Sequence, residues 1–150
     1  MIGVRRVRHR VRPRQTSTDP MSDWKRGDLV TVALPGDYGK PRPAVIIQSD
    51  HLPSTDSILV CLITSHRRDL PFYRLPVEPS QANALLCPSD IMVDKIMAVV
   101  RAKIGRVIGS LEGADLDRLT LMLTAMIGAG DSDPELNQAP GQKAGQNLTG

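Results

Sequence analysis

The 150-residue chain is poor in aromatic residues, which make up 3% of it, although 41% of its residues are hydrophobic. A folded core must therefore consist mainly of Leu, Ile, Val and Met. No run approaches the roughly 18 apolar residues that a membrane span needs. No apolar stretch typical of a secretory signal follows the basic N-terminus. We expect one domain of ordinary size, located in the cytoplasm and not attached to a membrane.

Cysteine and histidine are also scarce. Cys61 and Cys87 lie far apart in apolar runs and lack metal-ligand spacing, so we expect two buried, reduced thiols. The three histidines are scattered, and Asp90 and Asp94 are too few to indicate the carboxylate cluster of a metal-dependent nuclease. The sequence therefore predicts no metal site and no cofactor.

The positive net charge of +3 comes from the N-terminus. Residues 1–20 contain six arginines and one aspartate, and the rest of the chain has 13 basic and 15 acidic residues. We interpret residues 1–22 as a leader, for which there are two explanations. Either it is a basic arm that binds RNA phosphates, or it lies upstream of a native start at Met21 and is not part of the native protein.

Composition divides the rest of the chain into a domain, residues 23–130, and a polar tail, residues 131–150, predicted to be disordered. The domain contains short apolar, β-branched runs separated by Gly, Pro, Asp and Ser, a pattern typical of a small barrel. Pro76 places its strand at a sheet edge. The predicted strands are Asp28–Leu34, Ala44–Gln48, Ser57–Thr64, Phe72–Val77, Ala84–Cys87, Ile91–Val100 and Gly105–Leu111.

One helix is predicted, in the stretch "GADLDRLTLMLTAMIG". Its apolar residues form one stripe at a period of 3.6, followed by the helix stop Gly128. Leu121 and Met122 lie off this stripe, so they are either exposed or in contact with a second subunit. The stripe consists of Leu116, Leu119, Leu123, Met126 and Ile127.

The stretch "GDYGKPRPAVIIQSD" places Arg42 between Pro41 and Pro43, immediately before an apolar strand. The prolines restrict the backbone on both sides, so little entropy is lost when the guanidinium binds an anion. Guanidinium also suits a pair of phosphate oxygens. The alternative is a rigid surface turn whose arginine faces solvent.

A second polar cluster, "ITSHRRD", follows the end of the third strand. Hydroxyls, an imidazole and guanidiniums at one strand end could bind a phosphodiester and stabilise its charge. The imidazole could also transfer protons. The alternative is a solvated charged loop. The residues concerned are Thr64, Ser65, His66, Arg67 and Arg68.

Together these stretches resemble the MazF/PemK family of toxin endoribonucleases. "KRGDLVTVALPGDYGKPRPAVIIQSD" resembles the family's opening strand, glycine-containing loop and Arg-Pro, and "LITS" its strand ending in Thr-Ser. "PSDIMVDKIMAVVRAKIGRVIGSL" is similar to a later strand and turn. The resemblance covers residues 25–128. It differs at Leu62 and Ile63, where the family commonly has a proline.

The resemblance implies a mainly β fold with a C-terminal helix (α+β), an SH3-like or plasmid-toxin barrel, usually homodimeric. It implies metal-independent cleavage of single-stranded RNA, in which the 2′-OH attacks to give 2′,3′-cyclic phosphate and 5′-OH ends. A cognate antitoxin would restrain this activity. Arg42 and Thr64 match the family's catalytic residues. Ser65, His66 and Asp69 are candidates for assistance, and the expected RNA contacts are Tyr38, Lys40, Arg67 and Arg68.

A different function remains open on the same fold. A CcdB-like or degenerate toxin would bind a protein target or an antitoxin without cleaving RNA, since fold does not determine function. CcdB-type proteins rely on the end of the C-terminal helix, commonly with aromatic residues. This helix ends in "AMIGAG", which favours the nuclease.

Overall fold

The computed structural model describes residues 24–36 and 40–131. The predicted leader, residues 1–22, lies outside the described residues, as do Tyr38 and all of the predicted tail beyond Asp131. The boundaries expected for these terminal segments therefore stay predictions.

Within these described residues, six antiparallel strands precede one helix, as a mainly β fold with a C-terminal helix requires. The elements are β1 (Asp28–Val32), β2 (Arg42–Ile46), β3 (Ser57–Thr64), β4 (Arg74–Val77), β5 (Ser89–Val100), β6 (Ile104–Ser110) and α1 (Gly113–Met126). The strand order across the sheet is β4-β5-β3-β2-β1-β6, so β4, which contains Pro76, is an edge strand as predicted. A short 3-10 turn, Arg101–Lys103, joins β5 and β6.

Both faces of the sheet are covered, because the central strands are apolar on both sides. Leu29, Val45 and Cys61 belong to a core that packs against α1, whereas Val30 and Val60 belong to a second core on the opposite face. Burying one such aliphatic side chain contributes about 1.5–3 kcal/mol. Exposed ion pairs contribute about 0–1 kcal/mol each, so the two cores hold the sheet together.

The loop that follows edge strand β4 contacts β6, the strand at the opposite edge of the sheet. The backbone N–H of Ser110, at the end of β6, donates to the carbonyl oxygen of Ala82 in the loop after β4, at 2.9 Å. A Cβ at Gly109 would stand 2.5 Å from the carbonyl oxygen of Asn83, so only glycine permits this close approach. Contact between this loop and β6 therefore joins the two sheet ends.

The predicted strand Ala84–Cys87 is wrong, because the chain there is irregular and bent, directly after a turn. The buried side-chain oxygen of Asn83 accepts hydrogen bonds from the backbone of Ser80 and Leu85, at 3.0 and 2.9 Å. Ala84 has φ 55°, in the left-handed region, which a strand does not contain. One buried amide therefore organises a segment that composition alone assigns to the sheet.

The helix packs largely as its periodicity predicts, with two differences. Leu119 is fully buried, and Leu116, Leu123 and Met126 are partly buried against the same core. Met122 packs there as well, although the predicted stripe left it out. Ile127 is instead 70% exposed, because the helix ends at Met126 and the chain turns at Gly128, with φ 71°.

The two cysteines occupy different environments, so the prediction of two buried thiols is correct for only one of them. Cys61 is buried. Cys87 is exposed in the bent segment found in place of the predicted strand Ala84–Cys87. Burial, and then the negative charge of Asp94, raise the pKa of the Cys61 thiol to about 12.

An irregularity in β5 determines where its first residues lie. Cys61 is paired with Ile96, but Ile63, only two residues later, is paired with Ile91. Extra residues of β5 therefore bulge opposite a single residue of β3, which bends the strand. Beyond the bulge, Thr64 is paired with Asp90, so a carboxylate adjoins the end of β3.

Among the residues that the structure describes, no helix has the length and apolar composition needed to span a membrane.

Candidate active site

The pairing of β2 with β3 brings the two predicted catalytic residues together. The ladder pairs Ala44 with Leu62 and Ile46 with Val60. Arg42 and Thr64 lie two residues beyond the Ala44–Leu62 pair, at the same end of the two strands. Residues 22 positions apart in the chain are therefore neighbours.

Both side chains border one cavity of ≈ 290 Å³. Its lining residues are one arginine, one threonine and five residues with apolar side chains. The cavity is lined by Leu34, Pro35, Arg42, Leu62, Ile63, Thr64 and Met92.

Arg42 lies inside β2, two residues before the predicted start of that strand. It is paired with Val32 of β1, whereas the ladder to β3 begins only at Ala44. The strand is therefore paired on one side at Pro43, where a residue without an N–H is tolerated. Arg42 is exposed, and its backbone position is determined by both the ladder and the flanking prolines.

The hydroxyl of Thr64 is oriented by the backbone of the loop that follows it. The His66 N–H donates to Thr64 Oγ1 at 3.0 Å, a local turn of the kind that Ser and Thr form at the ends of strands. A hydroxyl oxygen that accepts this bond can still donate its own hydrogen. The hydroxyl hydrogen of Thr64 therefore remains available as a donor at the cavity that Thr64 lines.

The two arginines after β3 lie in different surroundings. The Nε of Arg67 is 3.3 Å from Asp90 Oδ1 and its Nη1 is 3.4 Å from Glu78 Oε2. Arg68 uses its backbone N–H to bind Asp90 Oδ2, at 2.9 Å. Its side chain borders a second cavity of ≈ 380 Å³, together with Asp69. The Arg67 guanidinium is therefore already engaged by two carboxylates.

Of the remaining predicted residues, those that the structure describes do not border the cavity of Arg42 and Thr64. Ser65, His66 and Lys40 are exposed, and Tyr38 is not among the described residues. Over the described ranges, no group of three or more His, Cys, Asp or Glu side chains is placed to hold a metal ion.

Sequence reasoning missed the partners of the loop after β3, above all Asp90, which is only 1% exposed. The available signal was the acidic residue in "PSDIMV", immediately before a strongly apolar strand. An acid at that position is expected to need a cationic partner if it becomes buried, and the arginines of "SHRRD" could have been suggested for that role.

The fold and the site define a class of protein: a small antiparallel β domain with a C-terminal helix and with an arginine and a threonine at one cavity. The sequence model described as "PemK-like, MazF-like toxin of type II toxin-antitoxin system" matches residues 25–127. The chain therefore belongs to this toxin family, which confirms the resemblance seen in its motifs.

A curated relative supports the same assignment. The chain is 37% identical over 105 residues to "Probable endoribonuclease MazF" of Mycolicibacterium smegmatis (strain ATCC 700084 / mc(2)155). The match covers 69% of this chain and 96% of that relative.

Solved structures share the fold. An endoribonuclease in complex with its cognate antitoxin, from a mycobacterial species, has a TM-score of 0.58 at 19% identity, covering 70% of this chain and 95% of that one. The toxin MazF-mt6 of Mycobacterium tuberculosis has a TM-score of 0.55 at 24% identity, covering 67% and 95%. The MazE–MazF structure from Deinococcus radiodurans has a TM-score of 0.55 at 17% identity, covering 70% and 95%.

Proposed function

We propose that this chain is the toxin of a type II toxin–antitoxin system and acts as a sequence-selective endoribonuclease on single-stranded RNA. The observation that carries this proposal is the placement of Arg42 and Thr64 at one cavity, in a chain of the MazF-like toxin family. The 37% identity to a protein named as an endoribonuclease supports the same activity.

The proposed reaction is an internal transfer at phosphorus. The ribose 2′-oxygen attacks the scissile phosphate as it loses its proton, and the bond from phosphorus to the 5′-oxygen breaks. The leaving oxygen takes up a proton, so the products are a 2′,3′-cyclic phosphate and a 5′-OH. Arg42 compensates the charge that develops on the phosphate, and Thr64 donates a hydrogen bond to it. One such donor contributes about 10²–10³ to the rate in other enzymes.

The proton transfers need assisting groups. His66 follows Thr64 by two residues and its imidazole is exposed, and histidine is the side chain that most often serves as general acid or base in enzymes. Ser65 offers a second hydroxyl beside it in the chain. Both stay assisting candidates in this mechanism. The positive charge needed at the phosphate is supplied by Arg42, so the mechanism operates without a metal ion or other cofactor.

RNA would approach along exposed cationic residues near the cavity. Lys40 is exposed two residues before Arg42, and Arg68 is exposed after Thr64. Tyr38 is proposed to stack on a base, as aromatic side chains do in single-strand recognition. Arg67 is proposed to contact RNA only by exchanging its protein carboxylates for phosphate, because both its charged contacts are already made.

The proposed partners are a cognate antitoxin and a second copy of the chain, acting in the cytoplasm. A solved relative is an endoribonuclease in complex with its cognate antitoxin. Leu121 is 71% exposed on α1, and covering such an apolar side chain would favour self-association.

The test uses the full chain, freed of any partner, with a long single-stranded RNA in EDTA. We expect discrete cuts with 2′,3′-cyclic phosphate and 5′-OH ends, and none from the matched Arg42→Ala variant. A variant with an unchanged circular dichroism spectrum would show that the loss is chemical. If the folded native chain makes no cuts, the CcdB-like or degenerate alternative, which binds without cleaving, replaces this proposal.

A further inference from the structure

Asp90 is a buried carboxylate beside the candidate active site that the proposed chemistry does not use. Its side chain is 1% exposed. In the sheet it is paired with Thr64 of β3 on one side and with Pro76 of β4 on the other. A buried charge is costly unless charged partners and hydrogen bonds compensate it, so its contacts indicate what it does.

Those contacts concentrate on the loop that follows Thr64. Oδ2 accepts the Arg68 backbone N–H at 2.9 Å, and Oδ1 lies 3.3 Å from Arg67 Nε. The beginning of the same loop is bound to Thr64 through the His66 N–H, at 3.0 Å. Two consecutive residues are therefore held by Asp90, and the residue before them holds the Thr64 hydroxyl oxygen.

The third contact of Asp90 is poor as an ion pair. Arg74 Nη1 lies 3.9 Å from Oδ2, beyond hydrogen-bond distance, although the Arg74 side chain is only 11% exposed. Nη1 is buried and has no hydrogen-bond partner in the described part of the chain. A pair arranged for stability alone would form a close, doubly hydrogen-bonded contact. The well-formed contacts of Asp90 are those with the loop.

We propose that Asp90 is a positioning residue for RNA cleavage: by holding Arg67 and Arg68, it fixes the turn whose His66 N–H orients the Thr64 hydroxyl. This inference rests on the proposed function, since it assigns a role in the same reaction. Without Asp90, the loop moves, the His66–Thr64 bond is intermittently lost, and the hydroxyl donates to the scissile phosphate for a smaller fraction of the time. Binding of RNA is expected to change less than the rate, because Asp90 binds the backbone N–H of Arg68 and leaves its exposed guanidinium to contact phosphate.

A double-mutant cycle tests this coupling in the full chain. Asp90→Asn and Thr64→Val are made singly and together, and kcat and KM are measured on an oligonucleotide containing a mapped cleavage site. Asp90→Asn is expected to lower kcat about tenfold, within the range of coupling between contacting residues, with KM changed less than about threefold. In the Thr64→Val background the same substitution is expected to lower kcat less than about twofold.

Two further variants serve as controls. Asp117→Asn makes the same chemical change on an exposed position of α1 and is expected to leave kcat and KM unaltered. Asp90→Glu keeps the charge and is expected to recover part of the kcat lost in Asp90→Asn, because a carboxylate again reaches the loop N–H. Equal losses of kcat in both Thr64 backgrounds, or a loss confined to KM, would overturn the proposal.

Amide hydrogen exchange on the unaltered chain covers the case in which Asp90→Asn does not fold. The amides of His66 and Arg68 are expected to be protected about tenfold or more relative to an unstructured peptide. Exchange of either amide at the unstructured rate would contradict a fixed loop. Failure of the Asp90 proposal can be distinguished from failure of the proposed function. If the chain cleaves no RNA, the proposed function is wrong; if it cleaves RNA but the effects of the two substitutions are additive, only the role of Asp90 is wrong.

Discussion

Arg42 and Arg67 flank the same pair of strand ends, yet their side chains lie in different surroundings. Arg42 is exposed at a cavity, on a backbone held by a strand ladder and two prolines. Arg67 follows the partner strand and lies between two carboxylates, Asp90 and Glu78. Two arginines near the same strand ends thus differ in place: Arg42 lines a cavity, whereas Arg67 joins a loop to two carboxylates.

The largest effect is expected from changing the geometry of Arg42 while keeping its charge. Arg42→Lys should lower the cleavage rate about 100-fold, because a single ammonium does not reproduce the guanidinium's paired donors at the phosphate. The free energy of unfolding should change by less than about 0.5 kcal/mol, as is usual at exposed positions. Single-turnover kinetics and urea denaturation measure the two quantities. A Lys variant that cleaves at the native rate would mean that charge alone suffices.

A smaller loss is expected from Thr64→Val, which removes the hydroxyl and keeps the β-branched shape that suits the strand. One hydrogen bond to a charged group contributes about 1.5–3 kcal/mol, so the cleavage rate should fall roughly 10- to 100-fold. Thr64→Ser, which restores the hydroxyl, is the matched control and should recover most of the rate. Equal rates for the Val variant and the native chain would remove Thr64 from the mechanism.

Arg67→Ala and Arg68→Ala should separate the structural from the RNA-binding role. Removing Arg67 leaves Asp90 with less compensation, so the free energy of unfolding should fall by about 1–2 kcal/mol. Removing the Arg68 side chain leaves its backbone bond to Asp90 in place. Stability should then be nearly unchanged, while RNA affinity falls and its dependence on log salt concentration weakens by about 0.7.

The RNA affinity of the Arg67→Ala and Arg68→Ala variants is measured with an RNA that has 2′-deoxyribose at the cut site. This RNA binds but lacks the internal nucleophile. Stability is measured by thermal unfolding of the same preparations. The assignment of a structural role to Arg67 and an RNA-binding role to Arg68 fails if Arg67→Ala weakens RNA binding more than Arg68→Ala does, without any loss of stability.

The smallest effect is expected from removing residues 131–150. Among residues 24–36 and 40–131, those that form the strands, the helix and the lining of the cavity all precede residue 131. Cleavage rate and melting temperature of the shortened chain should therefore match those of the full chain within about twofold and about 2 °C. A large loss of activity would show that the polar tail takes part in RNA binding, and the proposed domain boundary at residue 130 would need revision.

The sequence predicted the elements whose cause is local. β3 was predicted with its observed ends because an apolar, β-branched run stops at polar residues on both sides. The helix was predicted from its period, with an error at Ile127, where the chain turns away from the core. The segment Ala84–Cys87 was misassigned because composition does not show that the Asn83 side chain is buried and bound to the backbone of Ser80 and Leu85.

What the sequence by itself determined, through propensity and periodicity, is a mainly β domain with an aliphatic core, a terminal helix, and a proline-flanked arginine. These depend on neighbours within a few residues. Only the tertiary structure decided that Arg42 and Thr64 line one cavity, that Asp90 is buried beside Thr64, and that Arg67 is bound by carboxylates. These facts depend on strand register and on the bulge in β5. Register is a property of two distant segments packing against the same core, and no local stretch of residues contains it.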